Sequence, residues 1–256
     1  MTATVRSVAK AVAMLQAFDS QHRLLTVREL SALTGVPRST CHALCQTLVE
    51  TGLLEMHGAE GYQLGQSLAT LGGQVIERTG LVDATLGPVS TQLASTRSEI
   101  HVAQYVPTGI VYLLRLQNGR RLPNRNRTGR HWPLHGSACG LAVYAALPVA
   151  AREPHREGLP EETLALMDEA AVAFVKRGYI ITEVSQEGFR SVGAPVLDQH
   201  GDVVGAIGTG DARNLMTTQR THEIGVAIRR AAEASSRALG FLPSLAPDVS
   251  QKRRPA

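Results

Sequence analysis

Gly35 and Pro37 stand two residues apart in LTVRELSALTGVPRSTCHALCQTL, and together they force one helix to stop and another to start within a few residues. Glycine suits the left-handed residue that closes a helix, and proline suits the first position of the next. Upstream, Thr26 lies three residues before Glu29, the reciprocal capping pattern that opens a helix. Downstream, Cys41, Leu44, Cys45 and Leu48 fall at i, i+3, i+4 and i+7, the spacing of one buried stripe. Burying that stripe leaves Arg38, Ser39, His42, Ala43 and Gln46 on the other face. Arg38, Ser39 and Thr40 occupy the first turn, where backbone N–H groups lack helical partners and suit phosphate.

Two helices joined by a short glycine turn, the second with a polar leading edge, form a helix-turn-helix whose second helix enters a DNA major groove. RSVAKAVAMLQAF, residues 6–18, carries Val8, Ala11, Val12 and Leu15 at helical spacing and supplies a preceding helix. GLLEMHGAEGYQLG gives two short extended segments around a turn at residues 57–61, a β-hairpin wing. The DNA-binding residues are therefore expected to be Arg38, Ser39, Thr40, His42 and Gln46. Arg38 and Gln46 have the geometry for base edges, and the hydroxyls of Ser39 and Thr40 for phosphates.

Residues 67 onward return to helical spacing through Leu68, Leu71 and Val75, then through Leu81, Leu86, Val89 and Leu93. This predicts a connecting helix and a second helix that opens a larger domain. HVAQYVPTGIVYLLRLQ and SVGAPVLDQHGDVVGAIGTGD each read as strand, turn, strand. Helices are expected between them at 137–146 and 161–177, the latter closed by Gly178, and a last helix at about 217–239. The fold class is α+β with an antiparallel or mixed sheet. The expected division is a winged helix-turn-helix domain at 1–66, a linker helix at 67–82, a larger domain at 83–242 and a mobile polar tail at 243–256.

Hydrophobic residues make up 43% of the 256-residue chain, ample for two cores, whereas aromatics at 4% argue against stacking on single-stranded bases. The amino terminus lacks a secretory signal, and no stretch approaches a membrane span, which predicts a cytoplasmic protein. Three cysteines are too few for a disulfide framework. Cys41, His42 and Cys45 do not share a face, so no metal is expected, and no cofactor either. Residues 1–66 carry five Lys or Arg and five Asp or Glu, so placement and not net charge must favour DNA there. Residues 100–152 hold no Asp or Glu but seven arginines (115, 120, 121, 125, 127, 130 and 152), read as a solvated face, an attractor of an anionic effector, or a second DNA contact. Within it Arg130 is expected to grip a carboxylate with its planar fork.

SVAKAVAML, LTVRELSALTGVPRSTCHALCQTLVETGLLE and GYQLGQSLATLG, followed by WPLHGSACGLAVYA and GFRSVGAPVLDQHGDVVGAIGTG, closely resemble the IclR family of bacterial transcriptional regulators over about residues 5–240. The resemblance implies a winged helix-turn-helix joined by a helix to a GAF-like effector-binding domain, assembled as a homodimer or dimer of dimers. It implies control of a catabolic operon, through a pseudo-palindromic double-stranded operator and a small organic acid effector. It also places effector-binding positions at Ala138, Cys139, Ile181, Ser191, Gly208 and Gly210. Family members that take very small polar acids carry Asp, Cys or Ser at several of these positions. The Ile and Gly residues here are read as a roomier, less polar pocket for an aromatic effector. The family's recognition helix usually carries Arg where this chain has Ala43.

The rival class is a small-molecule-processing enzyme using His135, Ser137, Cys139 and Asp211. No nucleophile motif joins these residues, and such an enzyme would leave the N-terminal module unexplained. The chain is therefore read as a regulator, with repression the expected sign, and not as an enzyme.

Overall fold

The structure, a computed structural model, describes residues 4–19, 21–58, 61–94, 96, 98–117, 129–183 and 188–242, and the backbone pairing of 120–121. The expected tail, 243–256, and Arg125 and Arg127 of the arginine stretch lie outside the described residues. The chain forms two compact units, Met1–Arg78 and Thr79–Ala256.

The first unit runs α1 (Arg6–Gln16), α2 (Val27–Thr34), α3 (Arg38–Glu50), β1 (Leu54–His57), β2 (Gly61–Leu64) and α4 (Ser67–Thr79). The Thr26 side chain accepts from Glu29 N–H while the Glu29 carboxylate accepts from Thr26 N–H at 2.8 Å, so two amides without helical partners are satisfied reciprocally. Gly35 closes α2 at φ 70°, a conformation that costs a side-chain-bearing residue about 1–2 kcal/mol. Pro37 caps α3 from outside the first turn, one place earlier than the sequence reading put it. Met14, Phe18, Leu25, Leu30, Cys41, Cys45, Leu48 and Leu54 form one core, and Leu44 packs partly buried against it. Val8 and Val12 instead face outward. β1 and β2 pair antiparallel with Leu54 opposite Leu64, and a bridge from Leu25 to Tyr62 ties the hairpin to the segment before α2.

The second unit runs α5 (Leu81–Gln92), β3 (Ile100–Val106), β4 (Gly109–Gln117), β5 (Arg120–Arg121), β6 (His131–Trp132), α6 (Ala138–Ala146), α7 (Val149–Arg152), α8 (Glu161–Arg177), β7 (Ile180–Thr182), β8 (Phe189–Leu197), β9 (Val203–Ala212) and α9 (Thr218–Ala238). Its sheet has the order β5-β4-β3-β9-β8-β7, with β6 also on β4, and every pairing is antiparallel. The sequence reading found the four long strands and missed β5, β6, β7 and α7, which at two to four residues are too short to show a period. One apolar cluster joins α5 and α9 to the sheet through Leu81, Val89, Val102, Ile207 and Ile228. Another joins α6 and α8 to it through Tyr112, Leu141, Tyr144, Met167 and Ala206. All but one residue of α6 is buried, as expected of a helix apolar on every side.

Candidate functional sites

The turn before α3 is fixed at several points. Ser31 Oγ donates to Val36 O at 2.7 Å, Thr34 Oγ1 donates to Leu30 O at 2.6 Å and accepts from Val36 N–H at 3.3 Å, and Cys41 Sγ reaches Val36 O at 3.4 Å. These bonds hold the start of α3 in one place relative to α2. Burial pushes the Cys45 thiol up to about 11 and the Cys41 thiol upward as well, so both are neutral core residues at physiological pH. With that stripe inward, Arg38, Ser39, His42, Ala43 and Gln46 are exposed and Thr40 is half-buried. The five predicted DNA-binding residues therefore lie on one helix, with the N–H groups of its first turn beside them.

In the second unit, strand register assembles a cavity of about 350 Å³. Gly208 on β9 lies between His101 of β3 and Gly193 of β8, and Gly210 lies opposite Ser191. A Cβ on Gly193 would stand 2.5 Å from Ala138 O, and one on Gly208 would stand 2.5 Å from Cys139 Sγ. The N-terminal turn of α6 thus sits on the sheet where side chains are missing. Ser137 Oγ caps α6 by accepting from Gly140 N–H at 3.1 Å, and the adjoining Ala138 and Cys139 line the cavity.

Of the seven predicted effector residues, Ala138, Cys139, Ser191, Gly208 and Gly210 line this cavity; Arg130 and Ile181 are not among its lining residues. Arg130 stands beside β6 with its guanidinium 5.4 Å from the Trp132 ring centre, and its carbonyl accepts from Tyr112 N–H. Ile181 packs against the apolar cluster of α5 and α9. The walls also correct the expectation of a less polar pocket: Ser98, Glu99, His101, Gln117, Thr209 and Asp211 all face it. Sequence reasoning weighed Ser137 and Asp211 only as enzyme residues and missed Ser98, Glu99, His101 and Thr209. A usable signal was present, since His101 and Thr209 are polar residues inside strongly apolar strands. The polar groups are ordered among themselves: Ser98 Oγ donates to Asp211 Oδ2 at 3.3 Å, Thr209 Oγ1 donates to Glu99 O at 2.8 Å, and Arg115 pairs with the Glu99 carboxylate.

A helix-turn-helix in one unit and a polar cavity in the other are the parts of a DNA-binding transcriptional regulator. Residues 7–58 match the IclR helix-turn-helix domain and residues 73–237 the bacterial transcriptional regulator IclR C-terminal domain. The chain belongs to the IclR family of DNA-binding transcriptional regulators. It is 29% identical over 253 residues to the glycerol operon regulatory protein of Streptomyces coelicolor, spanning 94% of this chain and 98% of that one. It is 23% identical to the transcriptional repressor IclR of Escherichia coli, over 93% of this chain and 92% of that one. A solved IclR homologue from Microbacterium hydrocarbonoxydans, complexed with 4-hydroxybenzoate, superposes with a TM-score of 0.72 at 21% identity over 91% of this chain and 98% of that one. The relatives are named as regulators, not enzymes. Among the described residues no helix is long and apolar enough to cross a membrane.

Proposed function

We propose that this chain is a cytoplasmic repressor of a catabolic operon, released from its operator when a small hydroxylated organic acid fills the cavity of the second unit. The observation that carries the DNA half is the exposed edge of α3, where Arg38, Ser39, His42 and Gln46 stand on one face of the first three turns. In a symmetric dimer two such helices enter successive major grooves about 34 Å apart. Arg38 and Gln46 read base edges, Ser39 and Thr40 hold phosphates, and His42 flanks them. The dimer is supported by apolar side chains left outside: Val5 at the start of α1, Val8 and Val12 on it, and Leu71 and Val75 on α4, which buries no residue. A second copy covers surfaces of this kind, and a further pairing gives a dimer of dimers.

The effector half rests on the cavity's chemistry. The first-turn N–H groups of α6 at Ala138 and Cys139 suit a carboxylate. Ser98, Ser191 and Asp211 suit hydroxyls, and Tyr112, Val192 and Phe189 can flank a ring. A hydroxylated aromatic acid satisfies all three, in line with the relative complexed with 4-hydroxybenzoate. Repression follows the naming of the Escherichia coli relative. α4 (Ser67–Thr79), which ends before the expected bound of 82 because Gly80 turns left-handed and α5 begins at Leu81, carries the signal, and the coupling is expected at ~1 to 3 kcal/mol, enough to change operator affinity about 5- to 150-fold.

The test is a mobility shift with the chain's own upstream region, repeated with aromatic and aliphatic hydroxy acids. Arg38→Ala should weaken binding about tenfold, and an effector should release the wild type. Binding unaffected by Arg38→Ala would remove α3 from the reading. Operator affinity unmoved by any acid that calorimetry shows to bind would remove the coupling.

A further inference from the structure

α8 turns one face to the core and leaves the opposite face bare. Met167 and Ala170 are buried, and Leu166, Ala171 and Phe174 pack partly buried against the same cluster. On the other side Val172 is 56% exposed and Val175 86%. Two valines one turn apart on a solvent face, where residues of higher helix propensity would be more stable, are not explained by the folding of α8 alone. Beside Val172 a groove runs along α8 itself, lined by Asp168, Glu169, Val172, Ala173, Lys176 and Arg177.

The charges along this groove are ordered. Asp168 is held by Arg156 at 2.6 Å, and the Arg177 guanidinium lies 5.7 Å from the Tyr179 ring centre. Glu169 and Lys176 are exposed and have no ion-pair or hydrogen-bond partner among the described residues. Seven residues apart, they stand about 10 Å from each other along the axis, too far to pair within one helix. A lysine in the last turn suits the helix dipole by itself, but Glu169 lies in mid-helix, where that explanation does not reach. At about 100° per residue both fall on the same flank of the exposed face, with Val172 between them along the axis. A two-fold axis perpendicular to α8, passing between Val172 and Ala173, exchanges positions 169 and 176 without changing flank. We propose that α8 packs antiparallel on α8 of a second copy, Val172 against Ala173 and Glu169 of each copy on Lys176 of the other. The face is self-complementary, as a contact about a two-fold requires, so a second copy of this chain is the occupant it fits. Two turns of helix bury less than the ~1,200 Å² of a standard interface, so the step is weak and joins assemblies already formed. The proposal rests on the dimer-of-dimers reading for what is joined: α1 and α4 hold each dimer, and α8 joins two.

The test is sedimentation velocity of the full chain over a concentration series at low salt, with circular dichroism confirming that each variant folds. The wild type is expected to show an association step that weakens as salt is raised. Glu169→Lys and Lys176→Glu each set two pairs of like charges face to face across the axis, and each alone should weaken that step about tenfold. An equal mixture of the two variants restores both opposite-charge contacts in the mixed pair and should recover the wild-type step. Val172→Asp should abolish it. Absence of any step that the single charge reversals weaken, no recovery in the mixture, or an intact step in Val172→Asp would each overturn the proposal. A separate step, unchanged in every variant, is expected from α1 and α4; its absence would overturn that pairing while the α8 step stands.

Discussion

The two units build their sites by opposite means. On α3 the site consists of side chains that the core leaves out, so Arg38, Ser39, His42 and Gln46 stand on one short segment. In the sheet the site consists of side chains that are absent: Gly193 and Gly208 let α6 approach, and Gly210 keeps space open opposite Ser191. The first kind of site tolerates change in its core as long as the stripe stays buried. The second is defined by volume, and one added branch can fill it.

The sharpest way to break this contrast is to fill the cavity. A Cβ at Gly210 would stand 2.6 Å from Ser191 Oγ, and valine would push further into the same space. Gly210→Val is expected to weaken effector binding by about 100-fold or more while effector-free operator binding is retained, measured by calorimetry and mobility shift. Loss of both together would mean that the cavity residues support the whole fold. Next in size, Arg38→Ala is expected to weaken operator binding about tenfold and to relax sequence preference at one position with the salt slope unchanged, as loss of a base-edge contact should. A slope flattened by about one unit with sequence preference intact would assign Arg38 to a phosphate instead. Effector affinity should not move in either case.

This difference also explains what could be read from the sequence. The stripe Cys41, Leu44, Cys45, Leu48 and the Thr26–Glu29 cap are local patterns, so the helix-turn-helix and its outward edge were legible residue by residue. The cavity joins Ser98 to Asp211 and Glu99 to Thr209, more than a hundred residues apart, and only strand register brings them together. The resemblance to a family pointed to Ala138, Cys139, Ser191, Gly208 and Gly210 in the walls, and also to Ile181, which packs against the α5–α9 cluster instead. Arg130 was chosen from a local charge pattern, and it lies on the neighbouring edge over Trp132. Reading polarity only at the substituted positions also gave the wrong walls, since β3 and β9 supply His101, Thr209 and Asp211 from positions the pattern did not mark.

A smaller effect checks whether the α3 site depends on the cap that sets α2. Thr26→Ala removes the acceptor for Glu29 N–H and is expected to cost about 1 kcal/mol of stability, read as a lower urea midpoint at unchanged slope. A loss well below this, with operator affinity intact, would show that the bonds of the turn itself, from Ser31, Thr34 and Cys41, suffice to place α3.

The smallest expected effect isolates the charge on that cap. The Thr26 backbone N–H, and after it the Thr26 hydroxyl, hold the Glu29 carboxyl below its ordinary value in the folded chain. A folded value below the unfolded one means stabilisation that is complete above the unfolded value and lost as pH falls through the folded one. Glu29→Gln keeps a side chain that can close the capping box but removes the charge from the first turn of α2. The wild type should therefore exceed Glu29→Gln slightly in urea midpoint at pH 7, and the gap should narrow as pH falls to about 3, below the usual carboxylate range. A gap of equal size at both pH values would mean that Glu29 acts through shape alone, and that the charge at the start of α2 adds nothing to the placing of the helix-turn-helix.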